Sequence, residues 1–303
     1  MNKNDQITTE DLDLQELFKI IFEGKKLVLI FSLVFFLCSL TYSLLQDDYY
    51  SSEALLKTDD NSSTSVNSNI SGLASFAGVN LGTGASNNAP FVIETIKSRE
   101  FLKGLLNIEG VLPGIMATSM YDKVSKITLY DEEIYNFETN TWVREVDPPF
   151  SVKPDYLETH ENYMDMLSVQ YDEESGFIKL SFEHKSPKFS KTMLELIIQQ
   201  VNSTLRIKAI KESQDAINFL NQQIASSNSL EVRNSIANLI QENLEKQVMA
   251  KVKDDFVVSE IEPPYAPLIK SKPSRSLIVI FGTLAGFLIG SIFVLMRFFY
   301  KGS

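Results

Sequence analysis

The chain has 303 residues, with 28 Lys plus Arg against 39 Asp plus Glu and a formal net charge of −11. That acidic balance argues against a nucleic-acid surface. Cys38 is the only cysteine, so no disulfide can form within the chain, and with His160 and His184 the only histidines a structural zinc site lacks ligands.

The charge is unevenly spread. Positions 46 to 275 hold 22 Lys plus Arg against 33 Asp plus Glu, a net of −11, and two uncharged apolar runs bracket them, Leu27 to Leu45 and Leu277 to Met296. Each run is close to the roughly 20 helical residues that cross a bilayer's hydrocarbon core, so both are expected to span a membrane. A cleaved signal peptide is the rival reading of the first run. Its 26-residue polar leader is long for one, no small-x-small site follows, and Cys38 comes after Phe35-Phe36-Leu37, too bulky for lipoprotein processing. Lys25 and Lys26 precede the first run and Asp47 and Asp48 follow it, which places the N-terminus in the cytoplasm, the middle region outside, and the C-terminus back inside with Arg297 and Lys301. Lys270, Lys272 and Arg275 oppose the rule at the second run. The first run, inserted earlier, sets the orientation.

In chain order, residues 1–26 form a cytoplasmic segment with a short helix over 8–22, capped by Thr8 or Thr9 and apolar at Leu14, Leu17, Phe18 and Ile21. The first span, 27–45, leads into an outer base domain over 46–185. There Tyr49 to Lys57 reads as a strand, and 61–89, with seven Ser, six Asn and four Gly, reads as linker. Within that linker Leu73, Phe76 and Val79 suggest a short helix over 71–80. Asn88 and Pro90 open a helix whose buried side is Val92, Ile96, Phe101, Leu102 and Leu105. Residues 107–150 show little pattern beyond strand-like pieces at Ile127 to Tyr130 and Thr141 to Val146. A helix follows from Asp155 to Leu167, and then Ser168 to Tyr171 and Phe177 to His184 flank a Gly-containing five-residue loop that fits a β-hairpin.

Residues 186–253 form an arm. After Pro187 no Gly or Pro occurs through 225, so one long helix is expected, with an apolar stripe through Phe189, Met193, Ile197, Val201, Leu205, Ile210, Ile217, Leu220 and Ile224. Asn228 with Glu231 resembles a capping box for a returning helix bearing Val232, Ile236, Ile240, Leu244, Val248 and Val252. Spacing of four drifts around a helix by about 40° per step, so this stripe can meet more than one neighbour: either the base domain covers it, or copies of the hairpin pack side by side. Residues 254–275 are a returning strand, Asp255 to Ile261, and a proline-rich strut, and the second span (276–298) and a tail (299–303) complete the chain.

Several motifs have two readings. Gly282, Gly286 and Gly290 form successive G-x-x-x-G steps on one face of the second span, a surface for close helix contact with the first span or another protomer. Lys272 and Arg275 stand where lipid phosphates would lie, or serve as plain interfacial anchors. Glu132-Glu133 and Glu173-Glu174 read as solvated turns. Trp142 and the tyrosines could stack on sugars or serve packing. No nucleophile elbow, H-E-x-x-H, dinucleotide loop or G-x-x-x-x-G-K-[ST] occurs, so no catalytic, cofactor or metal residue is assigned.

The succession YYSSEALL, SGLASFAGVN, FVIETIKSREFL, GFIKLSFEHKSP, a long helix, PPYAPLIKSKPSRSL and GTLAGFLIG resembles the Wzz-type chain-length determinants, the polysaccharide co-polymerases of bacterial inner membranes. Its most specific part is Pro263, Pro264, Pro267, Lys272, Pro273 and Arg275; residues 107–150 match nothing comparable. The resemblance implies an α+β fold: two transmembrane helices flanking a periplasmic α/β base, with a long antiparallel helical hairpin, and protomers in a ring. It implies a non-catalytic homo-oligomer that acts with a Wzy-type polymerase and lipid-linked glycan, in contact with membrane lipid, to set the modal length of O-antigen or a related surface polysaccharide. Lacking a kinase phosphate loop, the chain is placed with the O-antigen class. The alternative is a capsule or exopolysaccharide export co-polymerase working with a separate tyrosine kinase. A two-span sensor would need an output domain larger than the inner segments offer.

Overall fold

The computed structural model describes residues 20, 22–58, 89–226 and 229–302. The helices expected over 8–22 and 71–80 therefore lie outside the described residues, positions 20 and 22 apart. By contact the chain divides into two compact units, Met1–Asp48 with Ser271–Ser303, and Tyr49–Lys270.

The first unit contributes α1, Lys25–Leu45, 21 residues that hold the first apolar run. The second unit opens with β1, Tyr50–Thr58, whose residues alternate between buried and partly exposed as a strand with one face on a core does. Next come α2, Ala89–Lys97, and α3, Arg99–Leu105. Sequence periodicity implied one helix here; Ser98 divides it. Its extended backbone ends α2, its hydroxyl donates to Thr95 O at 2.8 Å, and the same oxygen accepts from Phe101 N at 3.2 Å, capping α3. Val92, Ile96, Phe101, Leu102 and Leu105 are all buried, so the apolar face survives the break.

The weakly patterned stretch holds α4, Val111–Met116, and two small hairpins: β2, Thr118–Asp122, with β3, Ile127–Tyr130; and β4, Tyr135–Asn136, with β5, Thr141–Trp142. The strand expected from Thr141 to Val146 shrinks to two residues because only Tyr135 and Asn136 lie opposite it. Then follow α5, Tyr156–Met166, capped by Asp155, whose carboxylate accepts from Leu157 N and Glu158 N; β6, Leu167–Tyr171; and β7, Phe177–His184. Gly176, at φ +73, closes the loop between these two strands.

The arm consists of α6, Pro187–Ser226, 40 residues and about 60 Å long, and α7, Leu230–Val252, 23 residues and about 35 Å long. The expected cap at Asn228 lies outside the described residues. Ser229 precedes the helix instead, and its side chain makes no capping bond. A last strand, β8, Val258–Glu262, precedes α8, Arg275–Gly302, which belongs to the first unit and holds the second apolar run. Both α1 and α8 are long and apolar enough to cross a membrane, at mean hydropathies of 2.3 and 2.5.

Sheet register gives the second unit its polarity. The order is β6-β7-β1-β8, antiparallel throughout, with Tyr50 opposite His184 at one end of β1 and Thr58 opposite Val258 at the other. The chain thus enters the sheet at Tyr50, beside the point where β7 turns into α6. Val258, where β8 begins, lies at the far end. Leu56, Ile178, Leu180 and Phe182 on one sheet face pack with Met193, Leu194, Ile197 and Val201 of α6 and with α2, α3 and Tyr163 of α5. The Tyr163 hydroxyl donates to Ile96 O at 3.1 Å, and burial pushes its pKa up.

Candidate functional site

The glycine face of α8 lies against α1 of the same chain. A Cβ added at Gly282 would stand 2.4 Å from Ser39 Cβ. At Gly286 it would stand 2.6 Å from Phe35 Cβ and 3.0 Å from Phe31 O, and at Gly290, 3.0 Å from Val28 Cα. Only a missing side chain permits that approach, and Phe31 and Phe293 meet beside it with ring centroids 5.3 Å apart. A fourth member was missed in the sequence. Gly24 stands just before α1, where a Cβ would come within 2.3 Å of Val294 Cγ1. Its place in the polar leader, eight residues before the next small residue, Ser32, gives no signal.

At the other end of the same pair, Arg275 Nη2 donates to Asp48 Oδ1 at 3.1 Å, and the two side chains are 38% and 14% exposed. The charge read as a phosphate ligand or anchor is thus committed at least in part to a carboxylate 227 residues away. Lys272 is exposed and Pro273 half-buried. Within the second unit Pro264 and Pro267 are buried and Pro263 exposed, and Ser52 Oγ donates to Tyr265 O at 2.7 Å. The strut is fastened to the first strand rather than free-standing. The seryl donor lies 213 residues from its acceptor, so no local pattern reveals it.

The arm has two parts. Up to Leu205 the buried residues of α6 serve the sheet. Beyond it Arg206 donates to the carbonyls of Lys253 and Asp254, and Gln247 Nε2 donates to Gln214 Oε1 at 3.0 Å, so the remaining half of α6 pairs with α7. The base does not cover the stripe of α7. Only Ala250 is buried on that helix, while Val232, Leu244, Val248 and Val252 are 47%, 45%, 56% and 74% exposed.

The remaining polar groups serve structure. His184 is buried: its Nδ1 accepts from Ser186 N at 3.0 Å, so Nε2 carries the hydrogen and donates to Gly114 O at 2.9 Å. Burial pushes this imidazole down to about 4. His160 Nε2 bonds Lys97 O at 2.7 Å. Trp142 leans on Tyr135 with centroids 5.0 Å apart, and Glu132, Glu133, Glu173 and Glu174 are exposed. Among the described residues no three His, Cys, Asp or Glu side chains converge as a metal site.

Residues 10–107 match the family model Wzz, chain length determinant protein, the family whose resemblance the sequence motifs carry. No curated protein matches the chain. The solved structures that are similar include two at low identity. One, a full-length bacterial polysaccharide co-polymerase, is 14% identical at a TM-score of 0.42, covering 96% of this chain and 99% of its own. The other, a fragment of WzzB, polysaccharide co-polymerase from Salmonella Typhimurium, is 14% identical at 0.34, covering 75% and 100%.

Proposed function

We infer the role of this chain from the Wzz chain length determinant domain that it carries over residues 10–107: it regulates the length of a surface polysaccharide without itself catalysing a bond-forming step. The observation that carries this reading is the coincidence of that domain with a pair of apolar helices, one at each end of the described chain. Both helices cross the bacterial inner membrane, the two termini lie in the cytoplasm, and the base and arm stand in the periplasm. Lys25 and Lys26 before the first span, and Asp47 and Asp48 after it, support this orientation.

The regulator works as a homo-oligomeric scaffold. The wet stripe on α7 supports assembly, since an apolar face along a stiff rod is stabilised when neighbouring copies cover it. Its glycan is O-antigen or a related lipid-linked polymer, extended by a Wzy-type polymerase that the assembly organises. Gly282, Gly286 and Gly290 hold the spans together, and the segment from Pro263 to Arg275 connects base to membrane.

Deletion of the gene followed by gel analysis of lipopolysaccharide tests the reading. The ladder is expected to lose its modal cluster while polymer persists. An unchanged ladder, or loss of all polymer, would overturn it. Loss of export of an acidic capsule instead, restored only together with a separate tyrosine kinase, would identify the export type.

A further inference from the structure

The β2–β3 hairpin has two unlike faces. Tyr121 and Thr128 stand opposite one another in register and face the body: the Tyr121 ring meets Tyr50 edge-on at 6.1 Å, and Thr128 Oγ1 donates to Ser186 Oγ at 2.7 Å. Lys185 Nζ adds a bond to Ser119 O at 2.8 Å. On the other face Met120 and Leu129 are opposite each other, with Ile127 two residues along, and these are 54%, 43% and 56% exposed. At the tip Val124 is 93% exposed between Lys123 and Lys126. Antiparallel hairpins with one face in water place polar side chains there; this one places aliphatic ones. Its acid on that face, Asp122, is turned into the loop, where the carboxylate accepts from Val124 N at 2.9 Å and from Ser125 Oγ at 2.5 Å.

Register decides which end of the sheet carries this hairpin. Its anchors, Tyr50 and Ser186, lie where the chain enters the sheet, and Tyr50 follows Leu45, the last residue of α1, by five positions. The strand leaving the sheet returns toward the same end, since Ser52 holds Tyr265, and Leu268 and Ile269 beyond it are 97% and 82% exposed. The arm departs from the opposite end, past Asn202 and Val258. Both exposed aliphatic patches therefore gather at the end from which the chain passes to its two apolar helices.

We propose that the β2–β3 hairpin is a membrane-surface contact, with Val124 and the Met120, Ile127 and Leu129 face entering the headgroup layer of the outer leaflet while Lys126 meets lipid phosphate. The inference rests on the two-pass reading above. An apolar tip flanked by lysines suits that layer, where side-chain stems rest on hydrocarbon and ammonium groups meet phosphate. A second copy of this chain fits it less well, offering no comparable layer of fixed phosphates beside hydrocarbon.

The test uses the full-length protein in a Cys38→Ser background, reconstituted in phosphatidylcholine–phosphatidylglycerol vesicles. An environment-sensitive fluorophore is attached at Val124→Cys, at Leu230→Cys near the arm's turn, or at Leu33→Cys within α1. The 124 probe is expected to show blue-shifted emission and to lose intensity to lipids spin-labelled near the headgroup, and Lys126→Glu is expected to lessen that loss. The 230 probe should do neither. If the 33 probe is quenched by deep-chain labels while the 124 probe emits as in water, the spans stand and this inference fails. A 124 probe that is blue-shifted yet untouched by labelled lipid would mean a protein neighbour covers the hairpin, which also overturns it. Were the 33 probe itself unquenched, the two-pass reading would fall, and the inference with it.

Discussion

Asn202 joins the arm to the returning strand, and replacing it tests how the base of the arm is held. It is 5% exposed in α6, and its amide makes three bonds to the strand: Oδ1 accepts from Val257 N at 2.9 Å and from Val258 N at 3.1 Å, and Nδ2 donates to Val258 O at 2.9 Å. Asn202→Leu keeps comparable bulk and removes all three bonds. Val258 is 0% and Val257 9% exposed, so the freed backbone groups have little access to water. Each buried group left without a partner costs about 1–3 kcal/mol, and three of them with partial relaxation cost roughly 4 kcal/mol. At about 2–4 °C per kcal/mol for a unit of this size, Tm should fall by roughly 8–16 °C. The measurement is thermal unfolding of full-length protein in detergent, followed by far-UV circular dichroism. A variant melting within about 2 °C of the parent would refute the clamp and mean that the strand is held by its ladder to β1 alone.

Gly286→Leu should force α1 and α8 apart, because the first added carbon already meets Phe35 Cβ at 2.6 Å; overpacking of this kind costs about 1–3 kcal/mol, and weaker oligomers with a shifted glycan ladder are expected by native gel and lipopolysaccharide gel. Acidification should weaken the second unit through His184. The folded imidazole titrates near 4 against 6.5 unfolded, so its contribution is complete above pH 6.5 and declines as pH falls toward 4, by roughly 3 kcal/mol in all. Chemical unfolding at stepped pH checks this, and His184→Gln should flatten that part of the profile. Arg144 donates to Glu158 Oε1 and Oε2 at 2.5 and 2.6 Å and to the carbonyls of Ser151 and Val152, with side chains 12% and 19% exposed. Lysine lacks that planar fork, so Arg144→Lys should lose about 2 kcal/mol, read as a lower midpoint in urea.

What was legible along the chain has a common character. The apolar runs declare themselves because some twenty uncharged residues have few other uses, and the long helix because nothing between 188 and 225 breaks it. The β6–β7 hairpin shows in its loop chemistry. Asn202, by contrast, is a polar residue beside an apolar stripe, and nothing near it in sequence says that three backbone groups 55 and 56 positions away require it. The stretch from 107 to 150 was opaque for a related reason: its strands are two to five residues long and rest on partners such as Ser186 and Tyr50 rather than on any periodicity.

Composition and periodicity were enough to establish which segments are apolar, which are helical, and where the chain turns, since those properties arise between residues a few positions apart. Folding alone decided which partners those segments meet. The glycine face of α8 found α1, Arg275 found Asp48, the first half of α6 was taken into the core, and the stripe of α7 was left wet. Each of these outcomes depends on surfaces brought together from distant parts of the chain, where shape and charge must match in three dimensions and local propensity carries no record of the match.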